Sequence, residues 1–134
     1  MSQTSEIGSP WITTASGRIR LLKNGFVHVE IKTGHEQTPD NAKENLEVAM
    51  AYCKEDKRAV LLDIRGTHPL SPETRLIYMN PEMSNSFTAL ALVVSSDRMS
   101  RLMANIYMLL AKLPFPMRLC FEIEEAQAWL HKFK

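Results

Sequence analysis

Charge of one sign is the first thing this 134-residue chain lacks: 16 basic against 15 acidic side chains leave a formal charge of +1. That near-balance removes the electrostatic footprint of nucleic-acid-binding and anionic-membrane-binding chains. Cysteine is scarce too. Cys53 and Cys120 are too few for a disulfide framework, and neither stands in a C-x-x-C pair. They read as reduced, buried thiols of a cytosolic protein. The five glycines, Gly8, Gly17, Gly25, Gly34 and Gly66, are spaced too widely for a G-x-G-x-x-G or G-x-x-x-x-G-K phosphate loop. The longest strongly apolar run, Ala89 to Val94, falls far short of the roughly 20 residues that span a bilayer. The opening MSQTSEIGSPWITTASG has no basic stretch followed by an apolar one, so a cytoplasmic location is expected.

Metal-ligand and catalytic patterns are missing as well. His28, His35, His68 and His131 lie far apart, and none pairs with another His, Cys or carboxylate at ligand spacing. No metal and no cofactor are expected. His28 should project from the wet face of a strand and His131 from the end of a helix, each solvated or locally bonded. No nucleophile elbow supports a Ser-His-Asp set. A small hydrolase or transferase would need convergent titratable groups in a cleft, for which Asp63 and His68 are the obvious pair. The residues favour binding over catalysis.

What the chain does have is alternating strand and helix signals. Leu, Ile, Val and Phe make up about a quarter of it, above the roughly 20% floor below which disorder prevails. Residues 1–10 read as a loose tail closed by Pro10, and a single domain is expected over 11–134. Strands are predicted at 11–15, 18–22 and 26–31, with Ser16-Gly17 and Asn24-Gly25 as turns. Thr38-Pro39-Asp40 opens an amphipathic helix over 39–55, in which Ala42, Leu46, Ala49, Met50 and Cys53 recur at helical spacing. A central strand follows at 59–64. Ser71-Pro72-Glu73 starts a short helix, and Phe87–Ser95 reads as a strand covered on both faces. A helix from Asp97 to Leu110, a strand at 117–121 and a closing helix over 123–133 complete the order. The expected fold is α/β: a mostly parallel sheet with an N-terminal β-hairpin at or near an edge and about four helices.

The most informative stretch runs from Leu61-Leu62-Asp63-Ile64-Arg65-Gly66 into Ser71-Pro72-Glu73-Thr74-Arg75. It leaves the carboxyl end of a parallel strand and enters a helix, the place where open α/β sheets hold ligands. Free amides at a helix start also favour an anion or a phosphorylated hydroxyl. Asp63, Arg65, Ser71, Glu73, Thr74 and Arg75 are therefore the candidate docking residues for a partner or small anion. The structural alternative makes Ser71 an ordinary N-cap and Asp63 the partner of a nearby Arg or amide. The eight methionines supply a second candidate. Met79, Met83, Met103 and Met108, with Tyr107, suit either core packing or an apolar patch for a second copy or a ligand.

Asp63-x-Arg65, the Ser71–Arg75 run, Ala89-Leu90-Ala91-Leu92-Val93, and Pro116-x-Arg118 leading to Glu125-Ala126-x-Ala128-Trp129-Leu130 together carry a family likeness. Over residues 18–133 the chain resembles the STAS-like domains of anti-sigma-factor antagonists, within a SpoIIAA-like bacterial branch of uncharacterised activity. The resemblance implies a non-enzymatic regulatory or protein-binding module with an unknown protein partner; a homodimer is expected from the apolar patch around Tyr107 and Met108. In phospho-switch members a serine after an Asp opens the helix; here Ser71 stands at the Asp position and Pro72 at the serine. The usual phospho-acceptor is absent, and Glu73 places a fixed negative charge nearby. A phosphorylation-controlled antagonist is thus a secondary reading. Other relatives resemble carriers of a lipid or small apolar ligand, which is the principal alternative.

Overall fold

The computed structural model describes residues 8–80, 82, 85–96 and 113–133. Six strands form one sheet: β1 (Ile12–Thr13), β2 (Gly17–Leu21), β3 (Val27–Ile31), β4 (Arg58–Asp63), β5 (Phe87–Val93) and β6 (Met117–Cys120). They lie side by side in chain order. The first two pairings are antiparallel, and the pairings of β3 with β4, β4 with β5 and β5 with β6 are parallel. The protein is thus α/β with a mixed sheet. Three helices stand among the described residues: α1 (Pro39–Ala51), α2 (Pro72–Tyr78) and α3 (Ile123–Leu130), the last followed by a 3₁₀ turn at His131–Phe133. The helix expected from Asp97 to Leu110 lies outside the described residues.

Local chemistry accounts for these boundaries. At the first turn, Gly17 N–H donates to Thr14 Oγ1. A Cβ on Gly17 would stand 2.1 Å from the Glu30 carbonyl oxygen, so only glycine admits β3 at this distance. The second turn spans three residues rather than two. Leu22 N–H donates to Phe26 O across it, and Gly25 takes the left-handed conformation with φ 96°. Thr38 and Asn41 form a reciprocal capping box at the start of α1. The helix stops at Ala51, short of the expected residue 55, because Arg58 Nε binds the Tyr52 carbonyl at 2.8 Å. Ser9, near the start of the described residues, is bonded to β2: its N–H donates to the Leu21 carbonyl, and Leu21 N–H donates to its hydroxyl.

The sheet separates two cores. On one face Ile19, Val27, Val29 and Val60 pack with Leu46 and Ala49 of α1. On the other, Ala59, Leu61, Ala89, Ala91 and Val93 pack with Ala126 and Leu130 of α3. The three small side chains let α3 lie close against the sheet. Cys53 belongs to the first core and Cys120 to the second; both are buried and free. Burial pushes the Cys53 thiol up to about 11 and raises that of Cys120.

One irregularity shapes the first face. Arg58 pairs with Phe87 and Val60 with Leu90, so β5 carries an extra residue in a bulge. The bulge breaks alternation and turns Phe87 toward α1, while Ala89 faces α3.

Candidate functional site

The expected docking edge divides between the two faces. Asp63 alternates with Ala59 and Leu61 and so lies on the α3 side. Its Oδ1 accepts from Arg65 N–H at 3.1 Å and Arg65 Nε at 3.0 Å, and its Oδ2 accepts from Nη2 at 2.8 Å. This bidentate pair raises the Arg65 pKa further, chiefly through the hydrogen bond to Asp63. Ser71, Thr74 and Arg75 lie toward α1 instead. Ser71 Oγ caps Thr74 N–H at 3.3 Å and bonds the Thr74 hydroxyl at 2.9 Å. Thr74 Oγ1 donates to the Gln37 carbonyl, and Arg75 Nη1 donates to the Leu70 carbonyl, each at 3.3 Å. Thr74 is fully buried, and Glu73 is exposed in the first turn of α2. Asp63 and His68 make no hydrogen bond with one another, and His68 faces the α1 side.

Met79 is half-buried at the end of α2. Met83, Met103, Tyr107 and Met108 lie outside the described residues. Among the described residues no group of three His, Cys, Asp or Glu side chains could hold a metal ion. No helix among them is long and apolar enough to cross a membrane.

The feature that the sequence does not announce is a cavity of about 90 Å³ between the sheet, α1 and α2. Val60, Leu62, Leu90 and Leu92 form its floor, Leu46 and Ala49 its roof, and Phe87 and Phe115 one flank. The β5 bulge is what brings Phe87 into this wall. All but five of the described lining side chains are apolar; the exceptions are Gln37, Asn45, Thr67, His68 and Tyr78.

Three of those polar residues form a buried network at one end. Asn45 Oδ1 accepts from the Thr14 hydroxyl at 2.7 Å, and its Nδ2 donates to Ser16 Oγ at 2.7 Å and Gln37 Oε1 at 3.4 Å. The Tyr78 hydroxyl also donates to Gln37 Oε1. Burial raises the Tyr78 phenol to about 12, against the opposing hydrogen bonds of Asn45 and Gln37, so it stays neutral. Gln37, Asn45 and Tyr78 were not among the candidate residues. Asn45 left a trace all the same, because it stands on the apolar stripe of α1 between Ala42 and Ala49.

The family model described as Domain of unknown function DUF7793 matches residues 20–134. The chain belongs to that family. No curated protein and no solved structure matches it. All described residues of the cavity wall fall within the DUF7793 match, as do Gln37, Asn45 and Tyr78; Thr14 and Ser16, which hold the Asn45 amide, precede it.

A second polar surface lies on the opposite face of β1–β3. There the Arg18 and Arg20 guanidinium carbons stand 4.1 and 4.2 Å from the Trp11 ring centroid. Trp11 also covers His28, with ring centroids 5.1 Å apart. His28 is therefore buried rather than solvated, and both ring nitrogens lack a hydrogen-bond partner among the described residues. Burial, then the Arg20 charge, lowers its pKa to about 4.

Proposed function

We propose that this DUF7793 chain is a non-enzymatic binding module that takes up a small, largely apolar molecule, or the apolar end of a larger one, between its sheet and α1 and α2. The cavity of about 90 Å³ carries this reading. An apolar void of the same order, roughly 150 Å³, takes up benzene in a well-packed host. A space of this kind therefore suits a short alkyl chain or a small ring.

The alternative, docking of a protein partner or anion at Asp63, Arg65, Ser71, Glu73, Thr74 and Arg75, has less support. The Asp63 carboxylate, the Ser71 and Thr74 hydroxyls and the Arg75 guanidinium already hold internal hydrogen bonds. Control by phosphorylation is weaker still, since the Thr74 hydroxyl is buried. The resemblance to STAS-like carriers of apolar ligands agrees with the cavity reading.

The test combines native mass spectrometry of protein purified from its own host with methyl NMR of the recombinant chain in the presence of pentane. The expected result is a co-purifying small molecule, together with pentane-induced shifts at the Leu46, Val60 and Leu92 methyls. Ala49→Leu, which fills the cavity from α1, should abolish those shifts. Unperturbed lining methyls at saturating pentane and no co-purifying mass would overturn the proposal.

A further inference from the structure

Phe87 and Phe115 stand on one flank of the cavity with ring centroids 6.1 Å apart and planes at 87°, an edge-to-face pair. That arrangement sets the electropositive edge of one ring against the electronegative face of the other. Two separate features hold the rings there. Phe87 arrives through the β5 bulge. In an unbroken ladder Thr88, two places before Leu90, would face α1, and Phe87 would face α3. Phe115 stands between Pro114 and Pro116, which restrict the backbone on either side of it. The Pro116 carbonyl accepts the Leu90 N–H at 2.9 Å, so this segment is also fastened to β5.

A bulge gives up regular pairing, and bulges recur where a side chain must be re-aimed beside a site. Here the re-aimed side chain is aromatic, and it meets a second aromatic ring in the wall of an apolar space. Phe115 is only half-buried although it lines that space, so it has surface left to cover. Rings held in this way lose little freedom when a guest arrives. An aromatic guest can extend the pair edge to face, whereas a saturated guest gains only the burial of area. A void of roughly 150 Å³ takes up one benzene, so a cavity of about 90 Å³ admits no more than a single ring.

We infer that the molecule held in the cavity presents a single aromatic ring, which packs edge to face against Phe87 and Phe115 over the Leu90 and Leu92 floor. This rests on the cavity reading above and adds the chemical class of the ligand. Phe115 is the specificity-determining contact, and the bulge supplies its companion, Phe87.

Benzene and cyclopentane, an aromatic and a saturated ring of similar size, test this. Each is titrated into the full chain labelled at its Phe rings and at its Leu and Val methyls. With benzene, nuclear Overhauser contacts should join the guest protons to both Phe rings, and its ring current should shift the Leu90 and Leu92 methyls. In Phe115→Leu the affinity for benzene should fall about fivefold relative to that for cyclopentane, the loss expected for one aromatic pair. The wild-type contacts need no variant, so the test stands even if Phe115→Leu fails to fold. Benzene contacts confined to the leucine floor, or equal losses of both guests in Phe115→Leu, would overturn the inference and leave the cavity reading standing. No shift with either guest would overturn the cavity reading itself.

Discussion

Asn45 and Thr14 are joined at 2.7 Å, side chain to side chain, across 31 positions of sequence. The bond fastens the middle of α1 to the turn between β1 and β2, and the other end of the same amide holds Ser16. Both hydroxyls are buried. Asn45→Leu should therefore leave the buried Thr14 O–H without its acceptor and Ser16 Oγ without its donor, and destabilise the chain by about 2–3 kcal/mol. Urea unfolding checks this, and a loss below 0.5 kcal/mol would show that the network adds little.

Ala49 stands over the cavity with its methyl group buried. Ala49→Leu adds three carbons to space that is already there and keeps a strong helix former in α1. The gain should be about 1 kcal/mol in the unliganded protein. A thermal melt showing a lower midpoint would mean that the void is too narrow to accept the added side chain.

His28 makes stability fall in acid. In the unfolded chain it binds a proton near pH 6.5, and in the folded chain only near pH 4, because burial and the Arg20 charge oppose protonation despite Glu30 and Asp63. Between those values the unfolded state holds the extra proton, so stability decreases as pH drops from about 6.5 to 4 and this contribution levels off below. The full swing is about 3 kcal/mol. Denaturation measured across this range should show the slope in the wild type and lose it in His28→Leu.

Gly17 tolerates no side chain. A Cβ there would meet the Glu30 oxygen at 2.1 Å, and that contact is backbone on both sides. Gly17→Ala should cost about 3 kcal/mol or more by forcing β2 and β3 apart. Amide exchange should quicken first at Arg18 and Glu30, which pair beside it.

Local signals in the sequence led directly to local structure. Thr38-Pro39 and Ser71-Pro72 cap the helices that their chemistry implies, and the alternation of Val27, Val29 and Ile31 lies in one strand. Such patterns need only neighbours a few residues away. The end of α1 was misread because its stop signal, Arg58, acts through a bond to Tyr52 that no periodicity contains. His28 was misread for a similar reason, since Trp11 reaches it only across paired strands. The cavity depends on the extra residue in β5, and neither Phe87 nor Ala89 betrays the change of side. The candidate edge failed to gather in one place because Asp63 and Ser71 leave the strand end on different faces, a matter of pleat and loop geometry.

Strands that neighbour one another in the chain also neighbour one another in space, from β1 to β6. Each new strand can therefore dock on the one synthesised just before it, and assembly can keep pace with the ribosome. Among the described residues α3 is the last element to pack back, over β4 and β5. Until it arrives, the apolar side chains it covers, Ala59, Leu61, Ala89 and Ala91, lack that cover. Truncation before Ile123 would make that transient exposure permanent, and the shortened protein should form aggregates rather than a looser monomer.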